Sequence, residues 1–251
     1  MKFFNSNETQ IEIVSQADIP SGTGLGSSGS FTTALAKGLA AYYRKFMSQV
    51  EIAELACHIE IDKLCEPVGK QDQYAAAIGG INSFSFKKDT PVGIKSLDLD
   101  PKIRLELEER LLLFFTGFSR NAGSVLQDQD TKTKKHDSDM MNNLHFVKQL
   151  GIESERCLLV GDLIGFSSLM NEHWEYKKKR SEGMSNSKIN LWYEEGLRNG
   201  ALAGKLVGAG GGGFLMFLAE DKYSLRSKMS EYGLIEVPFR FDYSGTTVMS
   251  G

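Results

Sequence analysis

A two-domain α+β fold is predicted by three features of the chain. A glycine-rich loop at residues 20–30 runs into a helical pattern, and a second glycine loop fills residues 208–213. Two continuous apolar runs, residues 111–115 and 214–218, have the length of strands buried on both faces. With 251 residues there is room for two modest domains. The turn-rich stretch 90–101 sets a boundary between residues 1–100 and 101–251.

The elements follow in order. Residues 8–14 read as a strand, with Ile11 and Ile13 on one face. After the first loop, Phe31, Ala34, Leu35, Gly38, Leu39 and Tyr42 share one face of a helix. Ser48 and Glu51 stand in capping-box spacing and open a second helix, with Ile52, Leu55, Ala56 and Ile59 inward. Residues 67–70 break it. Asp72 stands at the first turn of a short helix, 73–78, which Gly79 and Gly80 end. Residues 81–86 alternate as a strand with a bulge. The strand at 110–116 is followed by a polar turn at 117–121. Residues 127–139 are polar, a solvated loop or helix face. Helices are expected around 140–150, 156–174 and 191–202, and the basic run 177–180 reads as solvated surface. Phe239, Phe241 and Tyr243 alternate as a last strand.

Composition narrows the function classes. A net charge of −3 gives no nucleic-acid footprint. No apolar run approaches the roughly 20 residues needed to cross a bilayer, and the polar start after Phe4 carries no signal-peptide pattern. Cys57, Cys65 and Cys157 lack metal-ligand spacing and read as small buried residues of a reducing compartment. The expected location is the cytoplasm. Oligomeric state is not encoded legibly.

The loop at 20–30 suits a phosphate. Glycines allow a sharp turn and close approach, and the following helix offers free N–H groups and the positive end of its dipole. Gly24, Gly26 and Gly29 also satisfy G-x-G-x-x-G, but Pro20 and Gly22 interrupt the strand a dinucleotide site requires. No Gly-Lys-Ser or Gly-Lys-Thr is present, so this is not a Walker loop. The plain alternative is a helix entry capped by Ser27 or Ser28, which leaves Gly22, Gly24 and Gly26 unexplained.

The longer string Pro20-x-x-x-Gly24-Leu25-Gly26-Ser27-Ser28 resembles the ATP-binding loop of the GHMP kinases, the superfamily of galactokinase, homoserine kinase and mevalonate kinase. Gly29-Ser30 stands where that loop usually has two alanines. The segment 60–80, with Gly69-Lys70-Gln71-Asp72-Gln73, is similar to the family's segment carrying a metal-binding glutamate and a catalytic aspartate. Gly208-Ala209-Gly210-Gly211-Gly212-Gly213 is similar to its third motif. Residues 69–74, 116–120, 184–186 and 200–213 further resemble the bacterial D-glycero-D-manno-heptose 7-phosphate kinases.

The resemblance implies the GHMP kinase fold, α+β, with an N-terminal domain like ribosomal protein S5 domain 2 and a ferredoxin-like C-terminal sandwich. It implies ATP and Mg²⁺ as cofactor and ion, and a sugar phosphate as acceptor; charge and the lack of a long apolar run give no nucleic-acid or membrane partner. Pro20, Ser21, Gly22, Thr23, Gly24, Leu25, Gly26, Ser27 and Ser28 would hold ATP, and Ser28 and Glu60 the metal. Asp72 would accept the proton of the attacking hydroxyl or hold it in line. Lys70, Arg120, Gly210 and Gly211 would meet the substrate, Arg120 through the sugar's phosphate, for which the run 177–180 is a second candidate. The family's first motif, ahead of several strands, is not found. A first domain short of its first strands is therefore expected, and weak turnover compared with an N-terminally extended form. A galactokinase- or fucokinase-like enzyme and a non-catalytic ligand-binding homologue are the alternatives.

Overall fold

The computed structural model describes residues 11–118, 123–180 and 183–249. The chain forms two compact units. One comprises Met1–Ser21, Gly26–Gly80 and Asp242–Gly251; the other comprises Gly22–Leu25 and Ile81–Phe241. The division falls at Gly80 rather than near residue 100. Leu97 and Leu99 account for this, because both are buried in one cluster with Leu107, Leu111 and Leu158.

The first unit is built from α1 (Ser27–Tyr42), α2 (Gln49–Cys57) and α3 (Gln71–Ile78). The capping box at Ser48 and Glu51 starts α2, with both reciprocal bonds present. A π-helical turn, His58–Lys63, prolongs α2. The buried face of α1 is not the expected one. Gly29, Thr32, Thr33, Ala36 and Ala40 are buried, while Phe31 is 52% and Tyr42 53% exposed. Small side chains let α2 and α3 approach α1 closely, and that contact sets its rotation. The chain's end returns to this unit. Thr246 donates its hydroxyl to Ala76 O (3.0 Å) and its N–H to Ala77 O (3.3 Å), and Gly80 N–H meets Asp242 O (2.5 Å).

The strand expected at 8–14 is not found over residues 11–14, where Ile13 and Val14 are exposed; residues 8–10 lie outside the described residues. A strand needs a neighbour to complete its hydrogen bonds, and among the described residues none pairs with this segment. Cys57 and Cys157 are buried as expected, but Cys65 is exposed. Among the described residues no helix is long and apolar enough to cross a membrane.

The second unit opens with an antiparallel hairpin, β1 (Asn82–Ser85) and β2 (Gly93–Ser96). It continues through α4 (Pro101–Arg110), β3 (Leu111–Phe115), α5 (Gly123–Lys134), α6 (Ser138–Val160), α7 (Leu163–Lys178) and α8 (Ser187–Arg198). It closes with β4 (Ala201–Leu206), β5 (Phe214–Ala219), α9 (Lys222–Glu231) and β6 (Ile235–Glu236). The four later strands form one antiparallel sheet in the order β4-β5-β3-β6. The order along the chain is strand, helices, strand, strand, helix, strand, with the first and third strands central. This is ferredoxin-like topology, as the resemblance implies. Phe114 and Phe217 on the sheet, Trp174 on α7, and Ile189 and Trp192 on α8 share a buried core.

Four local expectations change. Gly151 does not break α6, which ends instead at Gly161 in the left-handed region, while Asp162 caps α7. The helix expected to reach residue 202 stops at Arg198, and residues 201–206 form β4 although Ala-Leu-Ala-Gly favours strands weakly. Phe239, Phe241 and Tyr243 form no strand; the Phe241 N–H goes to the Glu108 carboxylate (3.1 Å) instead of a ladder. Lys177 is 6% exposed, not solvated. It continues the inward stripe Leu163, Ser167, Met170, Trp174 of α7.

Asp221 caps α9, accepting from the N–H groups of Tyr223 (3.0 Å) and Ser224 (3.1 Å). Asp221→Ala is expected to lower stability by about 1 kcal/mol, read as a fall in the urea midpoint at unchanged slope.

Candidate active site

The start of α1 is open. Gly26 stands at the N-cap with φ 68°, and no side chain caps the helix. The first-turn N–H groups are thus available to an anion. Three oxygen-bearing side chains of the same unit gather there. Ser28 donates its hydroxyl to Glu60 Oε2 at 3.1 Å. Gln73, on α3, donates to the same oxygen at 2.8 Å. Glu60 is 3% exposed, and its other oxygen, Oε1, is buried without a hydrogen-bond partner. Glu60, in the π-helical turn, continues the buried stripe Ile52, Ala53, Ala56, Cys57 of α2.

Asp72 reaches the same place from the first turn of α3. A Cβ built at Gly29 would stand 3.0 Å from the Asp72 carbonyl carbon, and one at Gly26 3.3 Å from its Cγ. Glycine at these positions is what lets α1 and α3 close so near the carboxyl. Asp72 remains solvent-accessible on one side. Crowding on the other side, and secondly the charge of Glu60, push its pKa above the usual aspartate range.

In the second unit the two glycine loops meet backbone to backbone. A Cβ at Gly24 would fall 2.6 Å from Val207 O, and one at Gly213 1.9 Å from Thr23 O. Gly213 also has φ 99°, a conformation that side-chain-bearing residues rarely adopt. The loop is held further by Gly211 N–H to Met184 O (2.9 Å) and Gly213 N–H to Phe118 O (2.8 Å).

The predicted site residues fall as follows. Ser28, Glu60 and Asp72 converge around Gly26. Pro20, Ser21 and Gly22 are exposed, Thr23 is buried, and Leu25 and Ser27 are half-buried. Lys70 is exposed and pairs with Glu54 at 3.7 Å. Gly210 and Gly211 are packed against Met184. Arg120 lies outside the described residues. The sequence reading missed Gln73, which orients Glu60; its place beside Asp72 was the available signal.

The donor set fits a hard divalent ion. A buried carboxylate oxygen lacking a partner, beside a hydroxyl, is the sort of oxygen pair that Mg²⁺ takes when phosphates and water complete its shell. Among the described residues no group of three or more His, Cys, Asp or Glu side chains could hold a metal ion without such help.

An open helix start beside two converging carboxylates has the parts a phosphate-handling kinase needs, and the comparisons give the class. Residues 1–80 match the GHMP kinases N terminal domain and residues 154–233 the GHMP kinases C terminal domain. The chain belongs to the GHMP kinases. It is similar to the D-glycero-alpha-D-manno-heptose 7-phosphate kinase of Campylobacter jejuni, 32% identical over 98% of this chain and 72% of that protein. A solved D-glycero-D-manno-heptose 1-phosphate kinase from Bacteroides thetaiotaomicron superposes with a TM-score of 0.68 at 30% identity, over 89% of this chain but 62% of that one. Lactococcus lactis galactokinase, complexed with galactose, shares the fold at a TM-score of 0.73 and 17% identity, over 92% of this chain and 69% of that one.

Proposed function

We propose that the chain transfers the γ-phosphoryl group of ATP to the anomeric hydroxyl of D-glycero-D-manno-heptose 7-phosphate, giving the 1,7-bisphosphate. The product belongs to GDP-heptose and surface-polysaccharide synthesis, in the cytoplasm. The observation that carries this reading is the convergence of Ser28, Glu60 and Asp72 at the uncapped start of α1. Identity of 32% to a heptose 7-phosphate kinase supports the choice of sugar.

Residues 20–28 cradle the triphosphate, with the α1 N–H groups toward its charge. Ser28 and Glu60 hold Mg²⁺, which neutralises charge on the transferring phosphoryl group when bound. Gln73 keeps the Glu60 carboxylate turned to that task. Asp72 aligns the sugar hydroxyl and accepts its proton, and its raised pKa brings it closer to a base suited to neutral pH.

A coupled ATP-consumption assay tests the reading across heptose 7-phosphate, galactose and fucose. Turnover should favour the heptose phosphate and require Mg²⁺; preference for fucose or galactose would replace the substrate, and no turnover on any sugar would favour a ligand-binding homologue. Glu60→Gln is expected to raise the Mg²⁺ concentration needed for half-maximal rate by roughly tenfold or more. An unchanged Mg²⁺ dependence would remove Glu60 from the metal.

A further inference from the structure

The second unit contains a group of basic side chains that the reaction as described does not use. Lys177 ends the inward stripe of α7, and its ammonium donates to Leu206 O (3.0 Å) and to Gly208 O at the entrance of the second glycine loop. Lys205, on β4, is partly buried beside it. Arg180, just past the end of α7, donates through Nε to Asn143 Oδ1 (2.8 Å), and its Nη2 is buried without a partner. His173 lies one turn before Lys177 with Nδ1 buried and also without a partner.

Among the described residues these groups act on one another and on no acid. Burial first, then Lys205 and Arg180, lower Lys177 to about 7. Burial and Arg180 lower Lys205 to about 8. Burial, then Lys205, Lys177 and Arg180, lower His173 to about 3. Among the described residues no carboxylate forms an ion pair with any of them. Bringing Lys177, Lys205 and Arg180 together under partial burial is costly, and buried polar atoms such as Arg180 Nη2 and His173 Nδ1 are normally paired. An anion with several acceptor oxygens resolves both conditions at once.

We propose that Lys205, Arg180 and His173, backed by Lys177, form a binding site for a phosphate group, and that its occupant is the phosphate of the sugar-phosphate acceptor. The site stands on two buried unpartnered atoms, Arg180 Nη2 and His173 Nδ1, beside Lys177, which reaches the root of the second glycine loop. The assignment to the acceptor rests on the kinase reading above. A phosphate monoester fits because its oxygens accept from guanidinium, ammonium and imidazole N–H together.

The test uses the whole chain and two probes. Inorganic phosphate, titrated calorimetrically, should bind the wild type and Asp72→Asn alike. It should bind Lys205→Met and Arg180→Met roughly 10- to 100-fold more weakly, the worth of one hydrogen bond to a charged group. Sulfate, whose charge is constant, should bind less tightly as pH rises from 7 to 9 and the lysines lose protons. In turnover, the same two variants should raise KM for the sugar phosphate by a similar factor, with KM for ATP nearly unchanged. Phosphate affinity equal in wild type and variants would overturn the site, and so would an adventitious ion only, bound indifferently to pH and to Lys205. A rise in KM for ATP instead would give the site to the nucleotide and overturn the assigned occupant. If no sugar is phosphorylated while the phosphate titrations behave as stated, the kinase reading fails and the anion site stands.

Discussion

Asp72→Asn is expected to lower phosphoryl transfer roughly 10²- to 10⁴-fold, the range for a positioned proton acceptor, without loss of stability. The second half follows from the direction of its pKa. The folded protein disfavours the Asp72 charge, through one-sided burial and the neighbouring Glu60. A carboxyl whose pKa is raised on folding opposes folding at neutral pH, and that opposition fades as pH falls through the folded value toward the unfolded one. The Asn variant should therefore melt at the wild-type temperature or slightly above it near pH 7, and lack this part of the acid-side gain. A variant that turns over at the wild-type rate would leave Asp72 without a role in transfer. A variant both inactive and unfolded would make its role structural.

The second large effect is steric. Gly213→Ala places a methyl group 1.9 Å from Thr23 O on a backbone with φ 99°. Neither the carbonyl nor the backbone can yield without separating the two glycine loops. The expected loss is roughly 3–5 kcal/mol, visible as a large fall in the urea midpoint. Gly38→Ala is the control. It lies in α1 with open space around it, and should stabilise by about 0.5–1 kcal/mol through helix propensity. If both glycine variants behave alike, close packing of the loops is not what fixes glycine at position 213.

Local signals in the sequence foretold local structure well. The Ser48 capping box, the apolar runs of β3 and β5 and the glycine end of α3 all appear where residue chemistry places them. Expectations failed where a neighbour decides. Phe31 and Tyr42 suggest the inner face of α1, yet threonine, alanine and glycine are buried because two helices lie against them. β4 carries no strand-like sequence; pairing with β5 and the cover of α7 and α8 make it one. Within the site, Glu60 reads as an ordinary surface glutamate by its charge, yet it continues the buried stripe of α2 and meets Ser28 and Gln73 there. Lys177 was legible in principle, since its spacing continues Met170 and Trp174, but an ammonium group in a run of basic residues argues for solvent. The carbonyls of Leu206 and Gly208, brought to it by the fold, accept hydrogen bonds from its ammonium.

The contacts that close each unit also bear on the order in which the protein can assemble. Thr23 and Gly24 wait for a stretch made some 185 residues later, and the last turn of α3 waits for Thr246, 170 positions beyond Ala76. Closure of each unit therefore depends on contacts between distant stretches of chain, which form later than the local turns of its helices.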